Sequence, residues 1–242
     1  MKTIVLYKRH PHTENMTKRT QRAITTVLSL LVVGVAMLAA TPQIYPQQGV
    51  SQAAVSAKGD AAQVLNTLIV KGRAAKTGYA RAEFGNGWST QKGCDTRNII
   101  LLRDLTNTSV DDSCRILSGT LDDPYTATTI QFTRTEGDAV QIDHVIALSD
   151  AWQKGAQQLS KQQRIALAND PLELLAVDGP SNQQKGDGDA ATWLPANKDF
   201  RCQYVARQIA VKQKYTLWVT TAEKEAMISV LSKCPGQALP VE

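Results

Sequence analysis

Four side chains between residues 141 and 191 have the types and spacing to hydrolyse a phosphodiester. Asp143 and His144 stand side by side at the close of an apolar run. Asn182 and Lys185 form an N-x-x-K followed by Gly186 and Asp187. Such hydrolysis needs a deprotonated water in line with the leaving oxygen, and positive charge beside that oxygen and the phosphoryl group. A neutral imidazole suits the first role because it titrates near neutrality. A carboxylate and an amide carbonyl are hard oxygen donors and suit Mg²⁺ or a similar ion for the second. On this reading Asp143 and Asn182 hold the metal, His144 is the general base and Lys185 meets a flanking phosphate. His144 has no competitor, since the other two histidines are His10 and His12.

The elements that must position these groups can be read from the same stretch. Val140-Gln141-Ile142 alternates into Asp143-His144, which predicts a strand ending at the pair, with the two side chains on opposite sides. Ser160 caps a helix to Ala168, Gln163 completes a capping box, and Asn169-Asp170-Pro171 stops it. Leu172 to Val177 reads as a short buried strand and Asp178-Gly179-Pro180 as a turn. Residues from 181 onward then start a helix carrying Asn182 and Lys185, with its N-terminus helping to receive an anion.

The motif DHVIALS…LELLAVDGPSNQQKGD resembles the His-Asn-His (HNH) endonucleases of the ββα-metal fold. Their pattern is D-H-I-x-P-x-S, then N-L-x-L-L, then N-x-x-K-G. The likeness points to an exported branch that shares a domain with GmrSD-type restriction enzymes. It is specific over 141–191. It extends more weakly from Gly59 through Lys76-Thr77-Gly78-Tyr79 and Cys94-Asp95-Thr96-Arg97-Asn98 to Cys234. The resemblance implies an α+β fold with a ββα-metal core, flanking helices and two disulfides. It implies Asp143 and Asn182 as metal-side residues, His144 as general base and Lys185 as the recurrent lysine. One divalent ion is expected, Mg²⁺ first, with Mn²⁺ or Ca²⁺ as alternatives. The expected substrate is DNA, with RNA as second choice, cut with little sequence preference. Two positions depart from the pattern: Glu173 replaces the middle Asn that braces the histidine loop, and Leu148 replaces the Pro. A carboxylate accepts N–H bonds but cannot donate one, and Asn169 is a substitute brace off the motif position. The alternative is a non-catalytic extracellular or cell-surface module that binds or takes up DNA.

The rest of the 242-residue chain sets the context. Residues 1–40 hold six Lys or Arg and one acid, which leaves 21 of each sign beyond them. The net charge of +5 therefore says nothing about nucleic acid, and any contact must come from a local patch. Ala23 to Ala40 is apolar behind Lys18-Arg19 and Arg22, so residues 1–40 read as a signal peptide or signal-anchor. Residues 41–58 read as a flexible linker and 59–242 as the nuclease domain, outside the cytoplasm. In an exported chain Cys94, Cys114, Cys202 and Cys234 read as two disulfides; of three pairings, the sequential one is favoured because each pair brackets a compact segment. The cysteines form no C-x-x-C, and H-E-x-x-H and G-x-S-x-G are absent, which speaks against zinc-knuckle, zincin and serine-hydrolase readings.

Asp60 is expected to cap a helix with Val64, Leu65, Leu68 and Ile69 inward, and Lys71, Arg73 and Lys76 near its end. Phe84 and Trp88 read as plugs under a glycine-rich loop. Asp95 caps a helix bearing Ile99, Ile100 and Leu102. Arg97 in its first turn is aimed either at a phosphate or at a nearby acid. Strands are expected at Arg115 to Leu117 and Tyr125 to Phe132, and two amphipathic helices at Tyr204 to Tyr215 and Thr221 to Leu231. Asp187 is either an outer-shell metal group or a turn residue, Asp189 a turn residue, and Trp193 either a base-stacking or a core residue.

Overall fold

The computed structural model describes residues 60–240. The expected leader and linker lie outside them. Within the described residues, seven α-helices and seven strands follow one another as a mixed α and β chain. They run α1 (Ala61–Thr67), β1 (Thr90–Gln91), β2 (Cys94–Asp95), α2 (Thr96–Asp104), β3 (Thr106–Val110), β4 (Ile116–Asp122) and β5 (Thr129–Thr133). Then come β6 (Val140–His144), α3 (Leu148–Gln153), α4 (Lys161–Ala168), β7 (Leu174–Asp178), α5 (Gly179–Lys185), α6 (Arg201–Lys214) and α7 (Thr221–Leu231). The disulfides join Cys94 to Cys114 and Cys202 to Cys234, in chain order.

The element that matters most is the antiparallel pair β6–β7, in which His144 faces Leu174 and Asp143 faces Leu175. Because side chains alternate along a strand, this pair separates two apolar clusters. Val140, Ile142, Leu174 and Ala176 pack with Ile100, Leu101, Ile116 and Phe132 from α2, β4 and β5. Leu175 and Val177 turn the other way, into the larger cluster around Tyr204, Val205 and Ile209 of α6. Burial on both faces explains why β7 reads as a continuous apolar run rather than an alternating one.

Helix α5 follows β7 without a loop. Asp178 caps it, its carboxylate accepting from the Ser181 N–H at 2.8 Å, and Pro180 sits in the first turn where a missing N–H costs nothing. The segment expected to be a turn at 178–180 is therefore already the helix start. Gly186, at φ +55°, ends the helix. The capping box of α4 forms with Ser160 and Gln163, and that of α7 with Thr220 and Glu223.

Two expectations fail locally. Helix α1 stops at Thr67, so Leu68 and Ile69 are outside it and Ile69 is 61% exposed. Lys71, Arg73 and Lys76 consequently lie on an irregular segment that follows the bridge from Val70 to Val219, and not at a helix end. Strand β5 begins only at Thr129; Tyr125 sits in the preceding turn and is fully buried.

Candidate functional site

Strand β6 delivers Asp143 and His144 to its C-terminal end, and alternation sends them to opposite faces. Asp143 lies on the α5 side. Its Oδ1 accepts from Lys185 Nζ at 2.8 Å and its Oδ2 from the Tyr125 hydroxyl at 2.5 Å. Lys185 Nζ also donates to the His144 carbonyl at 2.7 Å, and its side chain is wholly buried. The ammonium expected to meet a flanking phosphate is thus turned inward, as the clamp that fixes Asp143 and the strand end together. One turn earlier on α5, Asn182 Nδ2 donates to Gln141 Oε1 at 2.9 Å.

His144 lies on the opposite face. Its Nε2 is 3.0 Å from the Ala168 carbonyl at the end of α4. A carbonyl only accepts, so Nε2 carries the proton and Nδ1 is left as the ring's basic nitrogen. The imidazole lies flat against the Trp88 indole, with ring centroids 5.6 Å apart and planes within 5°. Burial, with the nearby positive charges of Arg81 and Lys185, depresses its pKa to about 3, against the pull of the Ala168 hydrogen bond. The ring is neutral throughout the physiological range, but it titrates well below the near-neutral value expected of it from the sequence.

Glu173, at the motif position expected to hold Asn, is wholly buried. Its carboxyl oxygens accept from the Ile146 N–H at 3.2 and 3.3 Å, and its own carbonyl accepts from Val145 N–H at 2.9 Å. It therefore braces the loop after His144. Burial, aided by Asp143 and Asp170 and opposed by Lys185 and the Ile146 bond, pushes its pKa well above the carboxylate range. A protonated Glu offers one C=O and one O–H, the acceptor-and-donor complement of an amide. Asn169 serves elsewhere. Its Oδ1 accepts from Ser89 N–H at 2.8 Å, which anchors the residue next to Trp88.

Asp143, His144 and Asn182 line one open cleft of about 420 Å³ together with Lys76, Tyr79, Arg81, Ser149 and Asp187. Asp187 is half-exposed there, accepting from Ser149 Oγ at 3.1 Å and paired with Lys76 at 3.3 Å. Asp189 is in its turn but also buried against Lys154 and Arg73. Trp193 packs on Tyr125 and Tyr204. Arg97 is not brought to the cleft: its guanidinium donates to the Val140 carbonyl at 3.3 Å, at the other end of β6. Lys76, Tyr79, Arg81 and Trp88 come from the loop-rich stretch before α2, where their only sequence signals are the K-T-G-Y and G-N-G-W-S strings.

Among the described residues there is no cluster of three or more His, Cys, Asp or Glu side chains able to hold a metal. These residues do not build a closed protein cage, but a largely hydrated hard cation fits them. Such an ion takes one or two protein oxygens and draws the rest from water and substrate phosphate. Asp143 and Asn182, which both line the cleft, would supply that pair. The two donors on Asp143 leave about two of a carboxylate's roughly four acceptor sites unused.

Residues 95–230 match the family described as GmrSD restriction endonucleases, C-terminal domain. A secreted protein of the fungus Arthroderma benhamiae, itself described as uncharacterized, is 40% identical over 177 residues, covering 72% of this chain and 84% of that one. No solved structure matches.

Proposed function

This chain belongs to the family of the GmrSD restriction endonuclease C-terminal domain, and from that premise we propose that it is an exported HNH-type endonuclease. It hydrolyses phosphodiester bonds of DNA, with RNA as the second candidate substrate, and with little sequence preference. The order β6–β7–α5, with Asp143, His144 and Asn182 on it, supports a ββα-metal core. The observation that carries the chemistry is the fixed tautomer of His144: Nε2 is committed to Ala168, so Nδ1 is available to take a proton from water.

In this mechanism the water's proton moves to Nδ1, its oxygen forms the new bond to phosphorus, and the opposite ester oxygen leaves. A divalent cation held by Asp143 and Asn182, Mg²⁺ in the first instance and Mn²⁺ or Ca²⁺ otherwise, would supply charge for the phosphoryl and leaving oxygens. Lys185 keeps Asp143 in place. Lys76 and Arg81 on the cleft provide the local positive patch that a chain neutral beyond its first 40 residues needs. Arg97 has no part in the chemistry proposed. Secretion is supported by the secreted relative and the two disulfides; among the described residues no helix is long and apolar enough to cross a membrane.

The test is nicking of supercoiled plasmid in Mg²⁺ or Mn²⁺, with and without EDTA, by the wild type and by His144→Ala. We expect wild-type nicking that EDTA stops and a folded variant without activity. Wild-type rates from His144→Ala would sink the mechanism, and EDTA-resistant cleavage would sink the metal. DNA bound but never cut by the wild type would select the non-catalytic module.

A further inference from the structure

The base needs more than a free nitrogen, because a lone hydrogen bond at Nε2 still lets an imidazole swing about its Cβ–Cγ bond. A ring that swings carries Nδ1 away from the water it must deprotonate, and small misplacements are costly in such geometry. The structure supplies a second restraint from a distant part of the chain. Trp88 covers one face of the ring, 5.6 Å away and within 5° of parallel. The backbone beside the indole is itself held on both sides. Ser89 N–H donates to Asn169 Oδ1 at 2.8 Å, while the Ser89 carbonyl accepts from Thr96 N–H at 2.8 Å and from Thr96 Oγ1 at 3.0 Å. Ala168 and Asn169 are consecutive, so the end of α4 holds the imidazole edge through one residue and the backbone next to Trp88 through the next.

We infer that Trp88 is a positioning residue of the general base, its backbone anchored through Ser89 by Asn169 and Thr96, so that its indole fixes the plane of the His144 ring and aims Nδ1 at the attacking water. Trp88 touches neither substrate nor metal in this scheme and acts only through His144. The inference rests on His144 being the base, and its test is built to separate the two ideas.

The full-length chain is compared with Trp88→Ala and Trp88→Phe by plasmid-nicking kinetics and by NMR of the His144 Cε1–H proton, assigned by its loss in His144→Gln. Trp88→Ala should lower kcat at least about tenfold with KM within about twofold, since orientation rather than substrate binding is lost. Trp88→Phe, which keeps a ring face, should recover most of that loss. The His144 resonance should move downfield in Trp88→Ala as the indole ring current is removed. Wild-type kcat in Trp88→Ala overturns the inference, as does a loss that Trp88→Phe does not repair. If the wild type cleaves nothing, the nuclease reading fails, and an unshifted resonance in Trp88→Ala would separately overturn the stack. Should Trp88→Ala not fold, Asn169→Ala decides instead, because it frees Ser89 while leaving both rings. A fall in kcat at constant KM supports the clamp, and unchanged kcat refutes it.

Discussion

Glu173 shows how a departure from a motif can preserve its chemistry. Removing the carboxyl as Glu173→Ala leaves the Ile146 N–H buried without an acceptor, and should cost about 1–3 kcal/mol in addition to the cavity. Glu173→Gln keeps shape, acceptor and donor. Its effect has a definite sign with pH. The folded protein retains the Glu173 proton above the pH where the unfolded chain releases it, so the acid costs stability as pH rises past about 4.5. Denaturant titrations at several pH values should find Glu173→Gln gaining on the wild type from pH 5 to pH 8; a constant gap would show Glu173 ionised in the fold. The sequence marks position 173 as unusual but cannot show protonation, which follows from burial. His144 was legible for the opposite reason, being alone in its part of the chain. Trp88 was not, because 56 residues separate it from the ring it covers and only folding joins them. Spacing marks Lys185 as a site residue but leaves its direction open: solvent exposure, which the sequence does not reveal, decides whether an ammonium meets a phosphate or a carboxylate.

At the scale of elements, strands β6 and β7 and the helices with complete caps follow from pattern and cap chemistry. Where no cap encodes the boundary, as at the end of α1, the apolar spacing runs on past the true stop. Strand β5 starts later than its composition suggests, because Thr-rich sequence favours a strand from Tyr125 onward, whereas Tyr125 is drawn into the core with its hydroxyl on Asp143. Of the glycines in the described chain, Gly179 at the joint between β7 and α5 has the least room. A Cβ added to Gly179 would stand 1.9 Å from the Asp138 carbonyl oxygen, which is backbone and cannot swing aside. Gly179→Ala should therefore push α5 from the hairpin, costing about 1–3 kcal/mol or more and displacing Asn182 and Lys185. Thermal melts and nicking rates together check this. A variant with native melting temperature and activity would show that the turn before β6 yields freely.

At the scale of the whole described chain, a buried ionic network lies beside the apolar packing. Lys154 Nζ lies 2.7–2.9 Å from Asp150, Asp189 and Glu223; Arg73 bridges Asp150 and Asp189, and Lys212 reaches Glu223. Three cations and three carboxylates tie the segment after α1 to α3, α6, α7 and the turn after α5. Burial opposes the charge of Asp189, but Lys154 and Arg73 outweigh it and hold its pKa at about 2. The unfolded chain takes up this proton near pH 4, so that stabilisation, about 2 kcal/mol, is lost as pH falls from 4 toward 2. His144 acts earlier and with the same sign: below about 6.5 the unfolded chain gains a proton that the fold refuses down to about 3. In equilibrium unfolding, the His144 contribution to stability should thus slope downward from pH 6.5, with that of Asp189 joining it below 4, while the raised pKa values of Glu173 and Asp150 act with the opposite sign. His144→Gln should remove the upper part of that slope, and a slope unchanged in that variant would place the titration elsewhere.

The two ends of the described stretch meet. Asp60 pairs with Ala238, and the Ala61 N–H donates to the Gln237 carbonyl at 2.8 Å. In connectivity the fold is thus close to a ring with one open link, and no residue of the cleft takes part in that link. The sequential order of the elements is then incidental to the site. A chain sealed there and opened at an exposed turn would trace the same ring from a different starting point.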